Sequence, residues 1–316
     1  MSKCVDIIIP VYNTNPVLLR DCIDSVKAQT YSNLNIIVID DGSDNRETKK
    51  TIQSFGETAR IITQRNRGVS SARNRGLVES RGDFVFFLDS DDTIEKELIE
   101  RLVTIAENGK YDVVFSGAKN ESSGVIDMPF RDKEVNLHED AGAILIKSYA
   151  FTLKGALIKS CIAKKEKFEI GCTSGEDTDY IVRVMREAKT YIDGRGGYNY
   201  RQSISSVMHR LSPSDYYGQA RELLDKMKTI LKPEKEAEEV FIMLKMMGLY
   251  AKLLSNSKHS EAVENMKQIA GGHIKTPSVK YIAMQPILTR GEKAGLILFK
   301  YKLYRLYHIL ICAKKR

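Results

Sequence analysis

Residues Phe84-Val-Phe-Phe-Leu-Asp-Ser-Asp-Asp92 run as five apolar side chains followed by three carboxylates within four positions. The apolar part has the length and character of a strand buried on both faces. Carboxylates packed that closely repel one another, and each is costly to desolvate. A chain that ends a buried strand in this way must set the acids where a counter-charge can reach them.

The segments on either side explain where that place is. Val5 to Val11 and Leu34 to Ile39 are further apolar runs, the second closing in Asp40-Asp-Gly-Ser43, and Arg60 to Thr63 is a third short strand. Helical spacing fills the intervals: Val17 to Gln29, Arg46 to Phe55, Ser70 to Ser80 and Glu95 to Glu107, with another strand at Asp112 to Phe115. Strands alternating with helices of about ten residues predict right-handed βαβ units and a mostly parallel sheet. Ligands of such sheets bind beyond the carboxyl ends of the strands. Asp40, Asp41, Asp89, Asp91 and Asp92 all fall there.

Residues 125–189 read as mixed and less regular, and helical patterns dominate from Pro213 onward, at 215–231, 234–255, 260–271 and 292–313. The reading is one α/β domain over 1–211 and a helical region over 212–316. With 316 residues, 42% hydrophobic and 28% charged, the chain can bury a substantial core. Five scattered cysteines form no CxxC or Cys/His cluster, which points to a reduced, cytoplasmic protein without a disulfide framework. The first residues, MSKCVDIIIPVYN, have the character of neither a signal peptide nor a membrane span.

The net charge of +8 is uneven: from Gly271 onward ten Lys or Arg stand against the single acid Glu292. That disfavours a uniformly basic nucleic-acid binder. Leu296, Phe299, Leu303, Leu306 and Leu310 recur at helical steps among basic and tyrosine residues. Such a stripe over 292–316 suits the surface of an anionic membrane, and equally suits packing on the preceding helices or homo-oligomerisation.

Asp-Ser-Asp-Asp offers oxygen ligands to a hard divalent cation, and Mg²⁺ favours one or two carboxylates together with substrate phosphates. The alternative is a capped helix start at Thr93. The loop and helix start Asn66-Arg-Gly-Val-Ser-Ser-Ala-Arg-Asn-Arg-Gly76 suits an anionic ligand, or is a capped helix with a basic surface. DDGS is otherwise a turn. GxGxxG after the first strand and GxxxxGK[ST] are both missing, which disfavours dinucleotide-dependent dehydrogenases and P-loop NTPases.

Five segments, IIIPVYN (7–13), IDDGSDN (39–45), NRGVSSARNRG (66–76), GDFVFFLDSDD (82–92) and GEDTDY (175–180), together resemble the family 2 glycosyltransferases of the GT-A fold. The resemblance covers roughly residues 3–210. It implies a Rossmann-like α/β domain that binds a nucleotide-sugar, usually a UDP-sugar, with Mn²⁺ or Mg²⁺ as cofactor. Pro10, Val11 and Tyr12 are then expected beside the base, and Asp41 on the uracil or ribose with Asp40 and Ser43 in support. Asn66, Gly68, Arg73, Asp89 and Ser90 are expected near the nucleotide, and Asp91 and Asp89 at the metal. Asp92 is expected toward the acceptor or diphosphate, and Asp177, beside Glu176, as the catalytic base.

Downstream, His209 is a candidate third metal ligand, and Arg201 and Arg210 are candidate diphosphate contacts. A lone His is otherwise a packed or surface residue, and GEDTDY taken alone is a helix start whose acids suit the dipole. The QxxRW of processive, membrane-spanning synthases is missing and the chain has no Trp, which argues for one sugar per event. The expected activity is inverting transfer of a hexose or N-acetylhexosamine to a glycan, lipid-linked or glycoprotein hydroxyl. A non-catalytic nucleotide-sugar-binding partner subunit is the competing reading.

Overall fold

The computed structural model describes residues 2–120, 124–125, 130–171, 175–201, 212–254, 259–269, 276–304, 306–307 and 309. They group into two compact units, one of residues 1–136 and 149–204, the other of 137–148 and 205–316. The second unit thus collects a short piece of chain well upstream of the 212 start read from the sequence.

The first unit is built on one mixed sheet. Strands β1 (Val5–Val11), β2 (Leu34–Asp40), β3 (Arg60–Thr63) and β4 (Phe84–Phe87) are mutually parallel, in the order β3-β2-β1-β4. Every residue of β1 and β4 is buried, so both are apolar throughout except for Asp6 of β1, whose carboxylate accepts from Gly82 N at 2.7 Å. Helices α1 (Pro16–Lys27), α2 (Arg46–Gln53) and α3 (Val69–Glu79) are the crossovers. α1 starts on Pro16 behind an Asn15 cap, and Asn45 caps α2. Both caps fall where the sequence turns polar, so the helices begin just past the strand ends and leave those ends open. At Gly76 an added Cβ would lie 2.3 Å from Ile8 Cγ2, so a glycine is needed for α3 to lie this close on β1.

Beyond β4 the sheet continues through β9 (Ala156–Lys159), β6 (Val113–Asn120) and β10 (Thr190–Tyr200). β9 runs antiparallel to both neighbours, while β6 and β10 pair in parallel. Short pieces β5 (Thr93–Ile94), β7 (Gly124–Val125) and β8 (Lys133–Val135) pair antiparallel with β10, β6 and β10. α4 (Leu98–Gly109) covers β6 and β10. α6 (Ser160–Ala163) and α7 (Glu176–Met185) complete the unit.

The second unit is helical: α5 (Ala141–Ile146), α8 (Pro213–Leu231), α9 (Lys235–Leu254), α10 (His259–Ile269), α11 (Val279–Met284) and α12 (Arg290–Lys300). α9 packs on α5, α8, α10 and α12, with Phe241, Met246, Leu249 and Tyr250 fully enclosed. The long helix expected over 292–313 is corrected here. α12 ends at Lys300, and Lys302 takes a left-handed φ of 59° that breaks the helix. The apolar stripe breaks with it. Leu296 and Phe299 are core, whereas Leu303 and Leu306 are exposed and Leu310 lies outside the described residues. Among the described residues no helix is long and apolar enough to cross a membrane.

Candidate active site

The ends of β1, β2 and β4 are stitched together by short polar contacts. Asn13 Oδ1 accepts from the backbone N–H of Asp44 and Asn45, joining the loop after β1 to the loop after β2. Asp40 Oδ1 accepts from Ser43 N at 2.9 Å, and Ser43 Oγ accepts from Asn13 N at 3.1 Å. Asp41 is buried and organises the next loop: its carboxylate accepts from Gln64 Nε2 and Gly68 N at 2.8 Å and from Arg67 N at 3.0 Å. Gly42 allows that approach, with φ of 72° and an added Cβ only 2.7 Å from Asn66 N. Pro10 and Val11 are buried within β1, while Tyr12 just past it is 49% exposed. Asn66 and Gly68 are exposed on the facing loop. An open aromatic ring thus follows β1, and Asp41, just past the neighbouring β2, fixes the backbone of the 64–68 loop.

The Asp89–Asp92 turn answers the question set by its sequence. Asp92 N bonds back to Asp89 O at 3.0 Å, and the chain then turns into β5, which pairs with β10. Asp92 is buried under that turn, where Tyr198 Oη donates to its Oδ2 and Arg201 N to its Oδ1, both at 2.8 Å. Ser90 Oγ shares a 2.6 Å hydrogen bond with Thr14 Oγ1. Asp89 meets the guanidinium of Arg73, and among the described residues no ion pair holds Asp91. The three acids thus have different surroundings: one salt-bridged, one open, one sealed.

Their protonation follows. Burial alone would raise Asp89, but the Arg73 and Lys154 charges outweigh it and hold the carboxyl below its ordinary value. Asp91 is raised by burial and by the charge of Asp89. Asp92 is pushed to about 7 by burial and then by Asp89. The N-terminus of α7 brings Glu176 and Asp177 to the same region, since Glu176 Oε1 accepts from Arg73 Nη1 at 3.0 Å. Burial, then the neighbouring Asp177, raises the Glu176 carboxyl despite Arg73. Asp177 is partly exposed and accepts from Thr178 N at 2.8 Å.

Among the described residues five acids, Asp89, Asp91, Asp92, Glu176 and Asp177, face three cations, Arg73, Lys154 and Arg201, the last of which also pairs with Asp21 at 2.9 Å. The imbalance is what a bound cation would correct. Among the described residues no three His, Cys, Asp or Glu side chains form a closed metal cage. The donor set nonetheless fits Mg²⁺ or Mn²⁺, which take one or two carboxylates and complete the octahedron with water and phosphate oxygens. Asp91, with Asp89 beside it, would hold such an ion. His209 and Arg210 lie outside the described residues.

Sequence reasoning missed Lys154 and Tyr198. Lys154 Nζ stands 4.0 Å from Asp92 Oδ2 and 3.1 Å from the centre of the Tyr200 ring. A single lysine in an irregular stretch carries no periodic signal. Tyr198 lies in the polar, glycine-rich run Gly194-Arg-Gly-Gly-Tyr-Asn199, which carries no signal, and its partner Asp92 is 106 positions away.

Comparison with known proteins agrees with this arrangement. Residues 6–149 match the family model described as Glycosyl transferase family 2. The chain is 29% identical over 223 residues to the glycosyltransferase GlyG of Streptococcus pneumoniae, covering 66% of this chain and 74% of GlyG. It is 38% identical over 125 residues to the uncharacterized glycosyltransferase EpsJ of Bacillus subtilis, covering 39% of this chain. It is 32% identical over 216 residues to the glycosyltransferase GlyA of S. pneumoniae. The chain spans about a third of the length of the latter two, 36% and 30%. Among solved structures, S. aureus TarS 1-349 in complex with UDP-GlcNAc superposes with a TM-score of 0.63 at 16% identity, over 99% of this chain and 91% of that one. The fold is therefore GT-A, and residues 6–149 carry the match to the family 2 glycosyltransferases.

Proposed function

We propose that the protein transfers one hexose or N-acetylhexosamine from a UDP-sugar to a hydroxyl of a glycan, lipid-linked or glycoprotein acceptor, with inversion at the anomeric carbon. The observation that carries this reading is convergence. The Asp41-organised loop follows parallel β2 and β3, the Asp89–Asp92 turn follows β4 at the same end of the sheet, and Arg73 ties that turn to the Glu176–Asp177 helix start. The TarS structures hold UDP-GlcNAc or UDP on the same fold, which supports a uridine nucleotide as donor.

Tyr12 offers a face to the base, and Asp41 keeps the facing loop in place while retaining acceptor capacity for a base or ribose donor. A divalent ion at Asp91 and Asp89 supplies charge neutralisation for the leaving diphosphate. Lys154 adds positive charge to the same wall. Asp177, partly exposed and without an ion pair among the described residues, accepts the acceptor hydroxyl's proton as that oxygen bonds to the anomeric carbon and the bond to the diphosphate breaks. General-base help of this kind contributes about 10²–10⁴-fold. Exposed Tyr301, Leu303, Leu306 and Ile309 beside a basic tail support a peripheral contact with an anionic membrane.

The test is UDP release from a panel of UDP-sugars, with and without EDTA, for the wild-type protein and Asp177→Asn. The variant is expected to bind UDP normally and to lose most turnover. Undiminished turnover in Asp177→Asn would remove Asp177 as the base.

A further inference from the structure

Arg73 connects the donor side of the site to its base. Its side chain is 6% exposed, and its two terminal nitrogens are committed to different elements. Nη2 donates to Asp89 Oδ1 at 2.9 Å, at the end of β4, and Nη1 to Glu176 Oε1 at 3.0 Å, at the start of α7. Nε is buried and has no hydrogen-bond partner among the described residues. The guanidinium forgoes that hydrogen bond in an orientation that reaches both acids at once. Its positive charge is reinforced by Asp89, Glu176 and Asp177, which outweigh the desolvation that would lower its pKa.

The neighbouring residue on α3 makes a second tie in the same direction. Asn74 Nδ2 donates to Phe168 O, and Phe168 N donates to Asn74 Oδ1, both at 2.8 Å. The Phe168 ring lies under the Arg73 guanidinium at 5.6 Å and stacks on Tyr180 of α7 at 3.9 Å. Helix α3 thus holds α7 through an ion pair at its first turn and an aromatic stack one turn later.

We infer that Arg73 is a positioning residue for the base: it acts through Glu176 to fix the first turn of α7, and with it Asp177, at a set distance from Asp89. The inference rests on the reading of Asp177 as base. Glu176 then serves as the anchor of that turn, its carboxylate facing Arg73 and not the acceptor. Attack geometry is sensitive to this distance, since a displacement of about 1 Å at the reacting groups can cost on the order of 100-fold in rate. A guanidinium with two carboxylates already on it is poorly placed to receive a nucleotide directly, so its loss should be read in kcat and not in UDP affinity.

The experiment compares Glu176→Ala, Glu176→Gln and Arg73→Lys by calorimetry with UDP and Mn²⁺, by steady-state kinetics and by melting temperature. Glu176→Ala should lower kcat by ~30-fold or more while the UDP Kd stays within ~3-fold of wild type. Glu176→Gln keeps an oxygen acceptor for Nη1 and should retain kcat within ~5-fold. Arg73→Lys can reach one acid but not both, so it should resemble Glu176→Ala, and the two changes combined should cost little more than either. The clasp is overturned if Glu176→Ala keeps its kcat, if UDP affinity falls in step with kcat, or if Gln is as poor as Ala. Should Glu176→Ala not fold, the Gln and Lys variants decide by the same criteria. A wild-type protein with no UDP-sugar turnover would instead strike the proposed function itself.

Discussion

Tyr198 donates its phenol hydrogen to Asp92 Oδ2 at 2.8 Å, and each of the two residues is 1% exposed. The pair sits at the floor of the acid cluster, where burial and then Asp89 push the Asp92 carboxyl to about 7. An unfolded Asp titrates near 3.9, so between about pH 4 and 7 the native chain holds a proton that the unfolded chain has released. The stability that the neutral form contributes is complete below the unfolded value and is lost as pH rises through the folded one. In metal-free buffer, Asp92→Asn should therefore gain in melting temperature over the wild type between about pH 4.5 and 7.5. A difference that stays constant across that window would show that Asp92 does not titrate there.

Asp91 differs from its neighbours in having no ion pair among the described residues, while burial and Asp89 raise its carboxyl. A carboxyl in that state is poised for a cation that arrives with the diphosphate. Mn²⁺ and UDP together should raise the melting temperature by more than the sum of either alone. Asp91→Asn should abolish that surplus and lower Mn²⁺-dependent UDP affinity by at least about tenfold. EDTA should bring the wild-type protein to the same level. An unchanged surplus in the variant would move the metal elsewhere.

The strands, their parallel pairing and the placement of acids at their ends were legible in the sequence because β1, β2 and β4 are apolar on both faces and stop abruptly. The ordered motifs fixed the GT-A fold. Antiparallel β9 was not legible, since Ala156–Lys159 is too short to carry a period and lies among irregular residues. Nor was the engagement of Arg73 by Glu176, which joins positions 103 apart. The expected helix over 292–313 is interrupted for a local reason: the hydrophobic period continues past Lys300, but the backbone turns left-handed at Lys302 before helix resumes at Tyr304. Periodicity reports which side chains are apolar and does not report where a chain stops being helical.

Gly42 makes the Asp41 loop sensitive to a single methyl group. Its φ is 72°, and a Cβ there would meet Asn66 N at 2.7 Å and Gln64 O at 3.1 Å, both backbone atoms that cannot turn aside. Gly42→Ala should cost about 1–2 kcal/mol from the left-handed conformation alone. It should also push the 64–68 loop off the Asp41 carboxylate, weakening UDP binding by roughly tenfold, while Gly68→Ala, where an added Cβ meets nothing within 4 Å, should cost less affinity. Isothermal calorimetry on both variants checks the order. Equal losses would show that the strain at each φ, and not the close approach at Gly42, sets the effect.

In the helical unit Lys147 is fully buried after α5, with Nζ 2.9 Å from both Oε1 and Oε2 of Glu292. Glu292 also closes the capping box of α12 with Thr289, so one carboxylate both starts that helix and satisfies the lysine. Burial would raise the Glu292 carboxyl, but the Lys147 and Thr289 hydrogen bonds hold it below its ordinary value. That contribution is present above the unfolded pKa and is lost as pH falls through the folded one. Removing one partner of a buried pair leaves the other's charge uncompensated, at a cost of about 3–5 kcal/mol, discounted toward the lower figure because Glu292 keeps some solvent. Lys147→Met should therefore lower the denaturant midpoint sharply. Adding Glu292→Gln, which retains an acceptor for the cap and removes the stranded charge, should recover part of the loss. A double variant less stable than Lys147→Met would mean that Glu292 stabilises α12 chiefly through its cap, with the lysine incidental to it.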